Sequence, residues 1–145
     1  MHEYIQAKNV LGFDFGKKKI GIATGQTITR TSSALTIIKA KNGIPDWELL
    51  DKIITDWQPE IFVVGLPVNM DSTESDMSKD SRKFALSLQS KFGRRAQMMD
   101  ERLTSREAKQ EQRSVKIRPS NNVDHVAAAL ILQSWLENPL LGQNP

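Results

Sequence analysis

The chain has 145 residues, 39% hydrophobic and 26% charged, the size and balance of one globular domain rather than of a disordered chain. It has no cysteine, which excludes a disulfide framework, a thiolate nucleophile and a Cys-rich zinc site. A formal net charge of +3 permits a nucleic-acid partner without requiring one. No apolar run approaches the roughly 20 residues of a membrane span, and residues 1–8 lack a hydrophobic signal core, so a cytoplasmic protein with no membrane partner is expected.

Residues 1–8 read as a polar lead-in, and the stretch that follows organises the rest. Val10-Leu11-Gly12-Phe13-Asp14 is an apolar run ending in a carboxylate. Gly16 with Lys17, Lys18 and Lys19 makes a basic turn, and Ile20-Gly21-Ile22-Ala23 is a second apolar run, which together predict a β-hairpin. The first run is too apolar for a solvent-facing edge, so a central strand is expected. A carboxylate there must be paired, protonated or bound to a cation. A divalent metal with a polyanion lying over the lysines would satisfy both features, although Asp and Gly also suit a plain turn.

Ala34–Lys39 predicts a third, shorter strand, broken by Asn42-Gly43-Ile44-Pro45. An amphipathic helix follows from an Asp46 cap to Pro59, with Trp47, Leu50, Ile53, Ile54 and Trp57 at helical spacing and both tryptophans facing the core. Glu60–Pro67 is an unbroken run of β-formers, the mark of a buried parallel strand. The polar stretch from Val68 to Lys79 lies at that strand's C-terminal end, where open α/β sheets bind ligands.

A helix with Met77, Ser81, Phe84, Ala85, Leu88 and Phe92 on one stripe is stopped by Gly93. Arg95–Met99 then predicts an edge strand delivering Asp100-Glu101-Arg102 to its end. Thr104, spaced from Glu107 as in a capping box, or Ser105 caps a helix to about Arg113. Ser114–Asn121 is a basic loop carrying Lys116 and Arg118, and a last helix begins near Asn122 with an Ala127-Ala128-Ala129 run suited to close packing on a sheet. The order β-β-β-α-β-α-β-α-α gives one α/β domain, a mixed sheet flanked by helices over residues 9–138, with tails at 1–8 and 139–145.

Asp14, Glu101 and Asp124 each sit at an element end. If the last strand lies beside the first and the final helix crosses nearby, the three converge. Oxygen-only ligation by carboxylates suits two Mg²⁺ or Mn²⁺ ions about 4 Å apart, the apparatus of in-line phosphodiester hydrolysis. Each acid also has a plain structural use. Glu101 could pair with Arg102 on the surface, and Asp124 suits a helix start. Asp100 is an alternative to Glu101, because strand register decides which points at the site. His125 reads as a partly exposed helix residue.

These residues resemble a known family. Leu11-Gly12-Phe13-Asp14-Phe15-Gly16 with Ile20-Gly21-Ile22-Ala23 is similar to the opening motif of the YqgF/RuvX family. Val63-Val64-Gly65-Leu66-Pro67 with Asn69-Met70-Asp71, Asp100-Glu101-Arg102-Leu103-Thr104-Ser105 and Val123–Leu132 resemble its other blocks, in the family's order. The resemblance implies a ribonuclease H-like fold, with Asp14, Glu101 and Asp124 at the acidic cluster of a nuclease using two divalent metals. It also implies a role in maturing the 5′ end of small-subunit ribosomal RNA precursor or, by the older label, in resolving Holliday junctions.

The chain departs from the family pattern at three places. Lys19 stands where the family usually has arginine, Ser72 where it often has glycine, and Ser120-Asn121-Asn122 where a basic residue is common, with Lys116 and Arg118 as substitutes. The expected phosphate contacts are Lys17, Lys18, Lys19, Arg102, Arg106, Lys116 and Arg118, on a monomer or a homodimer. A non-catalytic ribosome-assembly factor on the same fold is the reading of another class. Asp71 and Asp76 are unplaced candidates for a further metal ligand.

Overall fold

The computed structural model describes residues 8–104, 115–116 and 123–145, excluding the side chains of residues 115–116 and 123–125. Strands β1 (Asn9–Asp14), β2 (Lys19–Gln26) and β3 (Thr31–Lys41) form an antiparallel meander, extended by the short β4 (Ile44–Pro45). Helix α1 (Trp47–Trp57) leads into β5 (Ile61–Leu66), and α2 (Asp76–Phe92) into β6 (Arg95–Asp100). A 3₁₀ turn (Glu101–Thr104), the short β7 (Val115–Lys116), α3 (Val123–Glu137) and a second 3₁₀ turn (Pro139–Leu141) complete the described elements. The strand order is β4-β3-β2-β1-β5-β6, with β7 pairing β3, and β1, β5 and β6 run parallel.

Alternation along the strands assigns their two faces. Leu11 and Phe13 of β1, Phe62, Val64 and Leu66 of β5, and Ala96 and Met98 of β6 pack against α1 and α2. Val10, Ile61, Val63 and Met99 pack against α3 on the opposite face. The result is a three-layer α/β/α domain with two cores. Period-2 alternation makes this partition strict, since a one-residue slip would exchange the faces.

Local chemistry sets the element ends. Asp46 Oδ1 accepts from the backbone N–H groups of Glu48 and Leu49 at the start of α1, Ser75 and Ser78 form a capping box on α2, and Gly93 ends α2 at φ 66°. On the other face α3 lies very close to the sheet. A Cβ on Gly12 would stand 2.7 Å from Leu132 Cβ and 3.2 Å from the Ala128 carbonyl.

Four features differ from the sequence expectations. β5 lies between β1 and β6, so the last long strand is not the neighbour of the first. β3 is longer than its apolar centre because backbone pairing with β2 extends across its polar ends. Trp47 packs on the core, but Trp57, at the last residue of α1, is 38% exposed. The tail is docked, with Met98 and Gln143 exchanging backbone hydrogen bonds of 2.7 and 2.9 Å that cover the β6 edge. The expected helix from Ser105 to Arg113 lies outside the described residues, as does most of the basic loop. No helix among the described residues is long and apolar enough to cross a membrane.

Candidate functional site

Asp14 ends β1 in the middle of the sheet, half-buried, on the face that carries Val10 and meets α3. Glu101 follows Asp100 at the end of β6, and alternation puts Met99 and Glu101 on that same face. Asp100 points the other way. Its carboxylate accepts from Arg102 Nη2 at 2.7 Å, from Nε at 3.1 Å and from the Arg102 backbone N–H at 2.8 Å. Burial works to raise the Asp100 pKa, but these bonds and the guanidinium charge together hold it below the ordinary value. Asp100 therefore anchors Arg102, and Glu101 is the acid on the face that carries Asp14.

Because β5 separates β6 from β1, Glu101 has to reach across a strand to approach Asp14. Gly65 of β5 makes the path. A Cβ at Gly65 would stand 2.7 Å from Glu101 Oε2, 3.1 Å from its Cγ and 2.5 Å from Ile131 Cδ1 of α3. The Glu101 side chain thus occupies the space that any larger residue would fill. Its pKa is pushed up from 4.5 to about 7, first by burial and then by the negative charges of Asp14 and Asp100. A carboxyl held this way is poised to give up its proton to a cation.

Asp124 falls in the first turn of α3. That helix runs antiparallel to β1, with Leu136 against Gly25, Leu132 against both Gly25 and Gly12, and Ala128 against Gly12. One further turn, about 5.4 Å, carries the helix backbone to residue 124. Two residues of strand, about 6.7 Å, carry β1 from Gly12 to Asp14. The backbone at Asp124 is thus level with Asp14, while its side chain lies outside the described residues. Among those residues no group of three or more His, Cys, Asp or Glu side chains stands ready to hold a metal.

The basic turn flanks the acids. Asp14, Phe15, Gly16, Lys17, Lys18 and Lys19 line a cleft of about 300 Å³, and the three lysines are exposed. Lys17 Nζ lies 3.8 Å from Asp80 Oδ2, an open pair worth less than about 1 kcal/mol and easily exchanged for a phosphate.

Arg102, expected on phosphate, makes contacts within the protein. Besides Asp100, its Nη1 donates to the Asn69 carbonyl at 3.3 Å and to Ser72 Oγ at 3.2 Å. It ties the loop after β5 to the end of β6. Ser72, the family's glycine position, sits at φ 71°, the left-handed region that favours glycine.

Asp71 is exposed and is absorbed in that loop, accepting from the Thr73 hydroxyl at 2.6 Å and the Thr73 N–H at 3.1 Å. Those bonds lower its pKa. Asp76 is exposed at the start of α2. Arg106 and Arg118 lie outside the described residues, and Lys116, paired through its backbone with Ser33, has no described side chain. Sequence reading missed Gly65. Its signal was a glycine inside a run of β-formers, which marks a close approach.

Residues 8–138 match the family model described as RuvX, Holliday junction resolvase. A relative from Histophilus somni is 49% identical over 137 residues, covering 92% of this chain and 97% of its own length. One from Shewanella oneidensis is 50% identical over 137 residues, with the same two coverages of 92% and 97%. Both carry the name "Putative pre-16S rRNA nuclease". Among solved structures, T. thermophilus RuvC in complex with a Holliday junction substrate aligns with TM-score 0.60 at 13% identity, over 94% of this chain and 98% of that one. This is a likeness of fold. The chain belongs to the RuvX family of Holliday junction resolvases, a nuclease family built on the ribonuclease H-like fold.

Proposed function

We propose that this chain is a cytoplasmic, divalent-metal-dependent nuclease that matures the 5′ end of pre-16S rRNA, the task named for its close relatives. The observation that carries the metal reading is the Glu101 carboxyl, seated over Gly65 and raised to about 7 by burial with Asp14 and Asp100 nearby. Such a group fits a hard cation, since ligation by carboxylate oxygen selects Mg²⁺ or Mn²⁺. Asp14, Glu101 and Asp124 would hold the ions. Bound there, these supply water activation and charge neutralisation for in-line displacement at phosphorus.

The protein's own groups do the rest. Lys17, Lys18 and Lys19 hold the phosphates flanking the cut, a contribution that weakens with salt. Arg102 fixes the Asn69–Thr73 loop and locks Asp100 away from the site, leaving Glu101 to face it. The α3 core behind the acids excludes water from one side.

The test is cleavage of a pre-16S 5′ segment beside a four-way DNA junction, each with Mg²⁺, Mn²⁺ or EDTA, using wild type and Asp14→Asn. Cutting of the RNA that is lost both in EDTA and in the variant is expected. Preference for the junction would instead assign strand resolution, which needs a two-fold dimer to cut symmetrically. Metal-independent binding without cutting, unchanged in the variant, would remove the enzyme reading and leave an assembly factor.

A further inference from the structure

Beside the lysine cleft lies a second concavity that the nuclease reading does not use. It is a groove of about 510 Å³ between the end of β1, the β3–β4 turn, the first residue of α1 and one side of α2, within the size range of small-ligand sites. Its floor is aromatic. Phe15, partly buried, tilts against the buried Phe84 with ring centroids 5.2 Å apart, while Trp47 stacks on the same ring at 6.2 Å and carries Lys91 Nζ over its own ring at 4.8 Å. Its rim is polar and cationic, with Lys17, Asp80 and the exposed Lys83, while Ile44 stands 62% exposed at one end. Phe15 and Lys17 line both this groove and the cleft beside Asp14.

We propose that this groove is a subsite for one unpaired nucleotide of the substrate strand, next to the nucleotide held at the Lys17–Lys19 turn. The inference rests on the nuclease reading and adds a specificity element to it. A flat π-system fits against the Phe15 ring that lines the groove, and base stacking on such a side chain tolerates any base because every base has a π-face. Lys17 and Lys83 suit the adjoining phosphates. Asp80 accepts from a base N–H once Lys17 turns to phosphate, which the 3.8 Å pair readily allows. A base within a duplex is stacked and paired, and cannot enter. The groove therefore favours substrates with an unpaired nucleotide beside the cut.

The test uses the wild-type chain and a pre-16S 5′ segment carrying single 5-iodouridines at positions near the processing site. Irradiation is done in EDTA, so that the strand stays whole, and cross-linked peptides are mapped by mass spectrometry. A cross-link to Trp47 or Phe15 from an unpaired position is expected, and its loss when a complementary oligonucleotide pairs that position. In parallel, Ile44→Ser with Lys83→Ala, both exposed positions, should lower the kcat/KM ratio of unpaired to paired substrate by about tenfold.

Cross-links only outside the groove, or an unchanged ratio, would overturn the subsite. Cutting without a groove cross-link removes the subsite and leaves the nuclease. A groove cross-link without any metal-dependent cutting removes the nuclease and leaves the subsite. Absence of binding removes both.

Discussion

Replacing Glu101 with glutamine is expected to stabilise the metal-free protein at neutral pH while abolishing nuclease activity. In the fold the Glu101 carboxyl titrates at about 7, against 4.5 for an ordinary glutamate. Below pH 4.5 the group is neutral in both folded and unfolded chains, and its burial costs nothing through ionisation. As pH rises through 4.5, the unfolded chain ionises while the folded one still holds its proton. Stability falls over that interval until the folded group ionises near 7, and the loss is constant above it. At about 1.4 kcal/mol per tenfold, the gap amounts to about 3 kcal/mol. Glutamine keeps the shape and never ionises, so the variant escapes the loss.

The assay is urea unfolding of both proteins in EDTA, stepped from pH 4.5 to pH 8 across the interval set by the two values. Near the lower limit the difference should be small, and at the upper one the variant should lead by about 2–3 kcal/mol. Asp100, held low by burial outweighed by Arg102, contributes stability that is lost as pH falls below its usual range. That effect is shared and cancels in the comparison. Mg²⁺ at about 100 times its dissociation constant should restore about 2.7 kcal/mol to the wild type and much less to the variant. Stability curves that run parallel across the whole range would refute the reasoning, because the carboxyl would then feel neither burial nor its acidic neighbours.

Three further outcomes are expected. Gly65→Ala forces a Cβ to 2.7 Å from Glu101 Oε2 and 2.5 Å from Ile131 Cδ1, so denaturant unfolding should show a loss of about 1–3 kcal/mol and single-turnover cleavage a loss on the order of 100-fold from the displaced carboxylate. Ser72→Gly relieves the left-handed backbone at φ 71° while losing the bond to Arg102, whereas Ser72→Ala loses the bond and keeps the strain; the glycine variant should be more stable by about 1 kcal/mol in thermal unfolding. Lys18→Ala and Lys19→Ala should each reduce the slope of log binding constant against log salt by about 1, measured on RNA in EDTA, with little change in sequence preference.

The positions of the acids along the chain were legible because strand ends can be read from apolar runs. Asp14 closes the run begun at Val10, and Glu101 follows the run that ends at Met99. Which of Asp100 and Glu101 shares the face of Asp14 was not legible, since neighbouring residues on a strand point to opposite faces and sequence gives no absolute parity. Met98 in one core and Met99 in the other supply it. Helical spacing brought Trp47 and Trp57 to one stripe, but spacing fixes a face and not how far the surface beneath it extends. Trp57, at the last residue of α1, is therefore 38% exposed.

The strand order was the larger omission, and it changes what the acids require. Were β6 next to β1, Glu101 and Asp14 would meet as cross-strand neighbours and the intervening residue would not matter. With β5 between them, the carboxylate must pass over a strand that α3 also covers, and only a residue without a side chain leaves that passage. By sequence, Gly65 reads only as part of an unbroken run of β-formers. Its reason lies on β6 and α3, in Glu101 and Ile131, which a strand read by itself cannot reveal. A glycine interrupting a run of β-formers near the C-terminal edge of a parallel sheet is thus a sign that a side chain from another strand crosses there, and the acids flanking that strand are the ones to test first.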